Sequence, residues 1–492
     1  MAEFRVYQMK VVAFFHRLEL SQLFGPVSLN FPRDIGIIHI AYSSDEAKYL
    51  ADQGIVCDII FKDEIARRLT TQVAPDADLI KEIDETIRIY SNGAFTLNSA
   101  IQSDRSFTIL SYEDCLKITV AYWSFWTDFI ETFNIDHIVH EPVSLMMNFI
   151  SAVALAQRGG CYLYCIMTAG IGSEYSFIVM AGIELYAPDL VHALAKPNSV
   201  VRSSTYTRAD LEVFLARFRK NMANFQGGVI AQSVSLPLLA VKALYLKVRQ
   251  LVTVSGTIKL VDCVEQWELR QNLPADKIRN LLAYRASVRF DQPQPKEIYW
   301  FYPLHLEPEA VVLYQAHGLY TNQIKLIENI AAQLPAGHYL YVKDHPHNLG
   351  YRNANDYLRL NAVPNIRLLP VNISGKSVIR NAKGVITITG TAGFEAMLMG
   401  KPVVLFGQTF YCQGPGVVHV RNIRELSQAI DQLIGQEPIS EEVLIEFLAA
   451  YFDSIHPGMT DFFAGQAVRS GVNQVENARI VADGLVRTIR SL

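Results

Sequence analysis

From Glu297 to Gly407 the chain alternates short apolar runs with amphipathic ones, and that alternation leaves few folds open. "EIYWFYPL", "HYLYVKD", "NIRLLPV", "VITIT" and "PVVLFG" read as strands bounded by turn residues. Between them stand "YTNQIKLIENIAAQLPAG", "NANDYLRLNA", "SGKSVIRNAKG" and "GFEAMLMG". These space their apolar residues as helices do, and several stop at Gly. Strand–helix–strand units in series build a doubly wound parallel sheet.

Residues 1–200 repeat the pattern. "IGIIHIAYS" reads as a strand, "SDEAKYLADQG" as a helix and "IVCDIIF" (55–61) as the next strand. A long aromatic helix at 115–133 follows, then "IDHIVHEP", "SLMMNFISAVALAQRGG" and "CYLYCIM", a second strand–helix–strand unit. Residues 201–296 differ. They are helical in pattern, rich in Arg, Lys and Leu, and close on "DQPQPKE", which reads as a linker. "NARIVADGLVRTIRSL" at the end reads as an amphipathic helix. With 492 residues the chain has room for two or three domains.

The totals exclude several classes. A net charge of −4 gives no electrostatic reason to expect nucleic acid. The six cysteines are scattered without a CxxC pair, as in reduced cytosolic proteins. "MAEFRVYQMK" carries charges before any apolar run, unlike a secretory signal. No uninterrupted apolar stretch is long enough to span a bilayer. The expected place is the cytoplasm, or at most the surface of a membrane.

In a doubly wound sheet ligands bind beyond the carboxyl ends of the strands, so the loops there are the ones to read. After "VITIT" come Gly390, Thr391, Ala392 and Gly393, opening a helix. The glycines let backbone approach a ligand closely. The first helical amides have no internal partners, and the helix dipole is positive there. Hydroxyls of Thr389 and Thr391 add donors, and the sum suits a phosphate. Glu395, placed by this reading in the first turn, would repel phosphate at contact but can accept the hydroxyls of a ribose. A capped helix after a tight turn explains the same residues without a ligand.

"YVKDHPHNLGYR" puts His345 and Pro346 just past a strand, with Lys343 beside them. Proline fixes the backbone and turns the imidazole toward the ligand side, although a satisfied loop histidine is the plainer reading. His345 and His347 lack a third ligand for a metal. "FYPLHLEPEA" gathers His305, Glu307 and Glu309 in one loop. In "DHIVHEP", His137 and His140 point to opposite faces of a strand and cannot share a metal. Glu141, at the strand end, is the best-placed carboxylate of the first half for a base or nucleophile. Asp76-Ala-Asp78 opens a charged helix and reads as a cap.

Together "FYPLHLEPEA", "LYVKDHPHNLGYR" and "VITITGTAGFEAMLMGKPVVLFGQTFY" resemble the capsule polysaccharide biosynthesis family. That family includes β-Kdo transferases of bacterial surface-glycan assembly. The resemblance runs from about 297 to 412 and reaches the first half only through "HEP" and the apolar helix after it. It implies an α/β, GT-B-like glycosyltransferase: two Rossmann-like domains facing a cleft, with a helical middle segment. Residues 1–200 would be the acceptor-side domain, 201–296 a helical insert and linker, 297–470 the nucleotide-sugar-binding domain and 471–492 a C-terminal helix. The implied enzyme is metal-independent, needs no cofactor and uses a CMP-sugar donor, CMP-Kdo above all.

By the same resemblance His345 and Pro346 match a His-Pro motif set against the nucleotide phosphate. Thr389, Gly390, Thr391, Gly393 and Glu395 match the second nucleotide segment. His305 and Glu309 match a His-x-Gln-Pro-Glu motif in which Glu307 replaces Gln. Glu141 and His305 are the candidates for chemistry. Likeness to β-Kdo transferases points to retention of configuration, while the residues leave inversion open. The expected partners are the donor and a glycan or glycolipid acceptor. The basic, apolar stretch "LAVKALYLKVRQL" is open to a peripheral contact with the inner membrane, core or interface packing being the plainer reading. A CDP-polyol phosphotransferase and a non-catalytic nucleotide- or glycan-binding partner remain as alternatives on the same fold.

Overall fold

In the computed structural model the first half forms β1 (Lys10–His16), β2 (Ile35–Ala41), β3 (Ile59–Ile60), β4 (His137–Val139), β5 (Cys161–Thr168) and β6 (Ser176–Ala181), of which β1 and β6 are not among the strands expected from the sequence. The second half forms β7 (Ile298–Pro303), β8 (His338–Lys343), β9 (Ile366–Leu369), β10 (Gly384–Thr387), β11 (Val403–Leu405) and β12 (Val417–His419), and β13 (His456–Pro457) follows. The structure describes residues 9–461 and 471–492, apart from 18, 72–75, 169–174, 184–185, 196–205, 222–235, 254–257, 272, 308–309, 317 and 346–347. The chain divides into two units. One comprises Met1–Ile101, Leu110–Pro197 and Ala450–Leu492, the other Gln102–Ile109 and Asn198–Ala449.

Each unit holds its own sheet, so the protein is α/β with two parallel-rich sheets. The sheet of the second unit runs β9-β8-β7-β10-β11-β12, all parallel. In chain order that is third, second, first, fourth, fifth, sixth, the doubly wound arrangement. The sheet of the first unit repeats it as β3-β2-β1-β4-β5, then adds β6 and β13 antiparallel at one edge. In both sheets the order reverses between the first and fourth strands. Crossover helices leave in opposite directions at that point, and the carboxyl ends there stay uncovered.

The packing explains the sequence pattern. Trp300, Tyr302, Leu340, Val342, Ile386 and Val404 are fully buried in one cluster of the second unit. Ile324, Ile327 and Ile330 of the helix Gln323–Gln333 join them, a spacing that keeps one helical face on the sheet. A Cβ on Gly384 would strike the Trp300 ring and lie 2.7 Å from the Pro402 carbonyl oxygen. Glycine therefore opens β10 so that the indole can pass.

Two local expectations change. The strand expected over 55–61 shrinks to β3, because Val56 is 81% exposed and Phe61 already starts the helix Phe61–Thr71. "DQPQPKE" is no free tether. Asp291 exchanges bonds with Leu368, its amide reaching the carbonyl at 2.8 Å and its carboxylate accepting the amide at 3.1 Å. Gln294 N–H donates to the Tyr341 hydroxyl oxygen at 2.9 Å, so the segment is sewn to the edge of the sheet. The helices Arg208–Lys220, Leu236–Thr253, Cys263–Arg270 and Leu273–Ser287 fall within the second unit. Cys161 and Cys165 lie on a strand, as expected.

The end of the chain returns to the first unit. β13 pairs with β6, and the helix Gln474–Ser491 buries Val481, Leu485 and Ile489 against Val12, Phe14 and Phe177. Asp189 fastens this return. It accepts from His456 Nε2 at 3.0 Å, from the Thr488 hydroxyl, and from Ser491 Oγ at 3.2 Å. Burial alone would raise the Asp189 pKa, but the bonds from His456 and Thr488 outweigh it and hold the carboxyl below its ordinary value. A depressed carboxyl stabilises the fold above its unfolded pKa, and the contribution disappears as pH falls through the folded value. Asp189→Ala should therefore cost about 2 kcal/mol at neutral pH. Urea unfolding followed at pH 7 and pH 3 checks it, the difference from the parent protein narrowing at the lower pH.

Candidate functional site

The loop after β10 is shaped by two close approaches. Gly390 caps the helix Thr391–Leu398 from an extended conformation, with no side-chain hydrogen bond at the cap. A Cβ on Gly390 would come within 2.8 Å of His305 Cε1 and 2.9 Å of Thr387 Oγ1. One on Gly393 would strike the Tyr411 hydroxyl, which itself donates to the Gly390 carbonyl. The loop is thus clamped between an imidazole and a phenol. The amides of Thr391 and Ala392 open the helix at the positive end of its dipole, while that of Gly393 donates to the Gly390 carbonyl at 2.9 Å. Of the two hydroxyls expected as donors, Thr391 is exposed, whereas Thr389 is buried and donates to Gln315 Oε1 at 3.2 Å.

His305 follows β7 and meets this loop across the reversal point. Its ring Nε2 lies 3.0 Å from Thr387 Oγ1 and accepts the Ile388 amide at 3.3 Å. An atom that accepts an N–H carries no proton, so the Thr387 hydroxyl donates to the same nitrogen. That hydroxyl oxygen accepts the Gly390 amide at 3.2 Å, completing a relay from ring to loop. Burial, then the positive fields of His345 and Arg352, push the His305 pKa down to about 3. The ring is neutral at physiological pH.

A buried ionic network holds the loops after β7 and β8 together. The register pairs Pro303 with Lys343, so both loops start level. Arg352 donates to Glu307 at 2.7 Å, to Asp344 at 3.1 Å and to the His305 carbonyl at 3.2 Å. Gln323 brackets His305, accepting its amide at 2.8 Å and donating to its carbonyl at 3.2 Å, and reaches Glu307 at 2.6 Å. Asp344 also accepts from the His345 amide at 2.7 Å, Asn348 Nδ2 at 3.2 Å and the Tyr357 hydroxyl. Both Arg352 and Asp344 are only 2% exposed at their side chains, where an unpaired charge would be very costly.

The second unit therefore brings together His305, Lys343, His345, Thr389, Gly390, Thr391, Gly393 and Glu395. Lys343 is buried, and burial lowers its pKa although Asp344 and Glu395 pull the other way. His345 is half-buried, its amide held by Asp344. Glu395 sits deeper than expected. The helix begins at Thr391, so Glu395 is its fifth residue, one turn in and 6% exposed. There its charge acts on Lys343 and Lys376 rather than on the first turn. Pro346, His347 and Glu309 lie outside the described residues. Asp344, Arg352, Gln323, Lys376 and Tyr411 escaped the sequence reading. Asp344 and Arg352 stand inside the quoted "YVKDHPHNLGYR", where two charges flanking a His-Pro pair were the available signal.

Glu141 belongs to the first unit, just past β4. It pairs with Arg17 at 2.9 Å and accepts from Asn148 Nδ2 at 3.1 Å, while the Tyr162 hydroxyl donates to its carbonyl at 2.7 Å. His140 Nδ1 donates to the Phe15 carbonyl at 2.8 Å, and its Nε2 lies 3.8 Å from the Glu141 carboxylate. Burial lowers the His140 pKa to about 4, the pull of Glu141 notwithstanding. His16 meets His39 at 2.9 Å and is likewise held neutral by burial.

Residues 278–433 match the family model described as capsule polysaccharide biosynthesis protein. A comparison with curated proteins finds no match. Among solved structures, the β-Kdo 2,7 transferase KpsC of Thermosulfurimonas dismutans is 13% identical, covering 74% of this chain and 88% of its own, with a TM-score of 0.31. The UDP-GlcNAc 2-epimerase of Methanocaldococcus jannaschii is 12% identical, covering 94% and 98%, with a TM-score of 0.25. The Neisseria meningitidis UDP-GlcNAc 2-epimerase bound to UDP-GlcNAc is 12% identical, covering 98% and 100%, at 0.23. Scores this low leave the fold to be read from the strand order of the chain itself.

The neutral His305 has a measurable consequence. Above pH 6.5 folded and unfolded chains both leave it unprotonated. Below that the unfolded chain takes a proton that the folded one refuses until about pH 3, so stability falls as pH falls. The slope is about 1.4 kcal/mol per pH unit for one such histidine. Between pH 7.5 and 5 the parent protein should lose about 2 kcal/mol more than His305→Gln. Chemical denaturation at the two pH values measures it.

Proposed function

We propose, from the match of residues 278–433 to the capsule polysaccharide biosynthesis family model, that the protein is a glycosyltransferase. It moves Kdo or a related acidic sugar from a CMP donor to a surface polysaccharide or glycolipid acceptor. The observation that carries this reading is the helix Thr391–Leu398. Its amino end is left without a side-chain cap at the reversal point of a doubly wound sheet, and the loop bearing His345 comes from the next strand but one.

In this proposal the donor phosphate lies on the first amides of that helix. As the bond to the sugar breaks, negative charge grows on the phosphate of the departing CMP. The helix amides, the Thr391 hydroxyl and His345 stabilise that charge through preorganised donors. Lys343 adds positive charge, drawn by the fields of Asp344 and Glu395. Gly390 and Gly393 keep the approach open. His305 is assigned a positioning role: its neutral ring steadies Thr387 and the Ile388 amide beneath the phosphate. Glu141 is the proposed carboxylate at the sugar, oriented by Arg17 and Asn148. As a nucleophile it gives retention, as a base inversion.

Thermal unfolding with CMP, CDP, UDP and GDP tests the donor. CMP at 100 times its Kd should stabilise the protein by about 2.7 kcal/mol, well beyond the others. His345→Ala should weaken CMP binding about tenfold or more. Glu141→Gln should keep CMP binding yet abolish release of CMP from CMP-Kdo in the presence of acceptor. Equal response to all four nucleotides, or full turnover by Glu141→Gln, overturns the proposal.

A further inference from the structure

The helix Leu236–Thr253 is apolar around most of its circumference, and among the described residues one face of it is covered. Leu236, Leu239, Ala243, Leu246 and Gln250 are partly buried, with the helix Leu273–Ser287 as the packing neighbour. The opposite face presents Leu238, Val241, Leu244, Tyr245 and Val248, between 53% and 70% exposed. Positions 238, 241, 245 and 248 follow the three- and four-residue steps that line up along one side of a helix. Single exposed apolar residues need no explanation, whereas a continuous stripe marks a surface made to be covered. A helix apolar on all sides is otherwise found in a core.

Charge decides what covers it. The helix carries Lys242, Lys247 and Arg249 and no Asp or Glu. From 236 to 296 ten Lys and Arg stand against five Asp and Glu, in a chain whose totals are 44 against 48. Arg249 shares a cavity with Glu265 and Glu268 of the helix Cys263–Arg270, while Lys242 and Lys247 are exposed. A second copy of the helix would bring the same cations and no carboxylate to meet them. An anionic lipid surface offers an apolar interior for the stripe and negative headgroups for the lysines, whose long stems let the ammonium groups rise to the headgroup level. Among the described residues no helix is long and apolar enough to cross a membrane, so such a contact lies in the interface plane.

We propose that the outward face of Leu236–Thr253 docks the protein on an anionic lipid bilayer, with Leu238, Val241, Tyr245 and Val248 inserted and Lys242 and Lys247 at the headgroups. This is independent of the donor reading, since it needs neither nucleotide nor acceptor.

The test is co-sedimentation of the full chain with vesicles, either phosphatidylcholine alone or equimolar phosphatidylcholine and phosphatidylglycerol. The chain should bind the anionic vesicles at least about tenfold more tightly, and added salt should weaken that binding. Val241→Glu combined with Tyr245→Glu should reduce it at least about tenfold with an unchanged melting transition. If that pair disturbs folding, Lys242→Gln with Lys247→Gln, both at exposed positions, should still reduce binding selectively on the anionic vesicles. A parent chain that stays in the supernatant overturns the proposal, as does a folded glutamate variant that sediments like the parent. A dimer of the parent that the glutamate pair dissociates, without vesicle binding, assigns the face to a second copy and overturns it equally.

Discussion

Parallel strands cannot be joined by a tight turn. Each must be followed by a crossover, and a sheet that grows outward both ways from its first strand must reverse direction once. Here the reversal falls between β1 and β4 in one unit and between β7 and β10 in the other. Apart from the loop after β8 with Asp344, His345 and Arg352, the polar clusters of the candidate site sit just past those four strands. β1 ends at His16, with Arg17 next, and β4 leads into His140 and Glu141. β7 leads into His305 and β10 into the Thr389–Gly393 loop. At these ends the ladder stops and backbone groups need other partners. Phe15 O turns to the His140 ring, and the amides of Ile388 and Gly390 turn to His305 and Thr387. The topology makes the opening, and the polar side chains first serve to satisfy the strands that end there.

That local accounting also sorts the charges. The histidines at the strand ends are buried and held neutral, so they act as hydrogen-bond fixtures rather than proton carriers. Arg352 is matched by Asp344 and Glu307. Around the helix Thr391–Leu398 the balance differs. Lys343 and Lys376, both buried, share the field of the Glu395 carboxylate, and Lys343 also feels Asp344, which Arg352 already holds. Burial weakens the charged form of each lysine, which favours an anion arriving nearby. The partial positive charge of the helix end adds to the same field.

Apart from β1, whose "KVVAFFH" follows straight on the charged opening residues and is not among the expected strands, the central strands were readable in advance because strands buried on both faces must be apolar throughout. The edges were not. β3, β12 and β13 have two or three residues each, too short for any periodicity, and β13 is placed only by partners almost three hundred positions away. Gly390 and Gly393 were legible as a tight loop, but not what makes it tight. His305 and Thr387 are 82 positions apart, and the Tyr411 hydroxyl is 21 from Gly390. Glu395 was misjudged by one turn because the helix start depends on where the chain leaves β10, and local pattern fixes such boundaries poorly.

Glu307 shows how one departure from a motif can be absorbed. The resembled family places Gln at this point, a neutral side chain that can donate and accept. A carboxylate only accepts. Here it receives the Gln323 amide on one oxygen and the Arg352 guanidinium on the other. Those same two residues hold His305 by its amide and carbonyl. The carboxylate therefore does not need to reach any ligand to influence the site. It keeps Arg352 paired on two sides, Arg352 ties the β8 loop with His345 to the β7 loop with His305, and the ring of His305 supports the loop on which the helix Thr391–Leu398 begins.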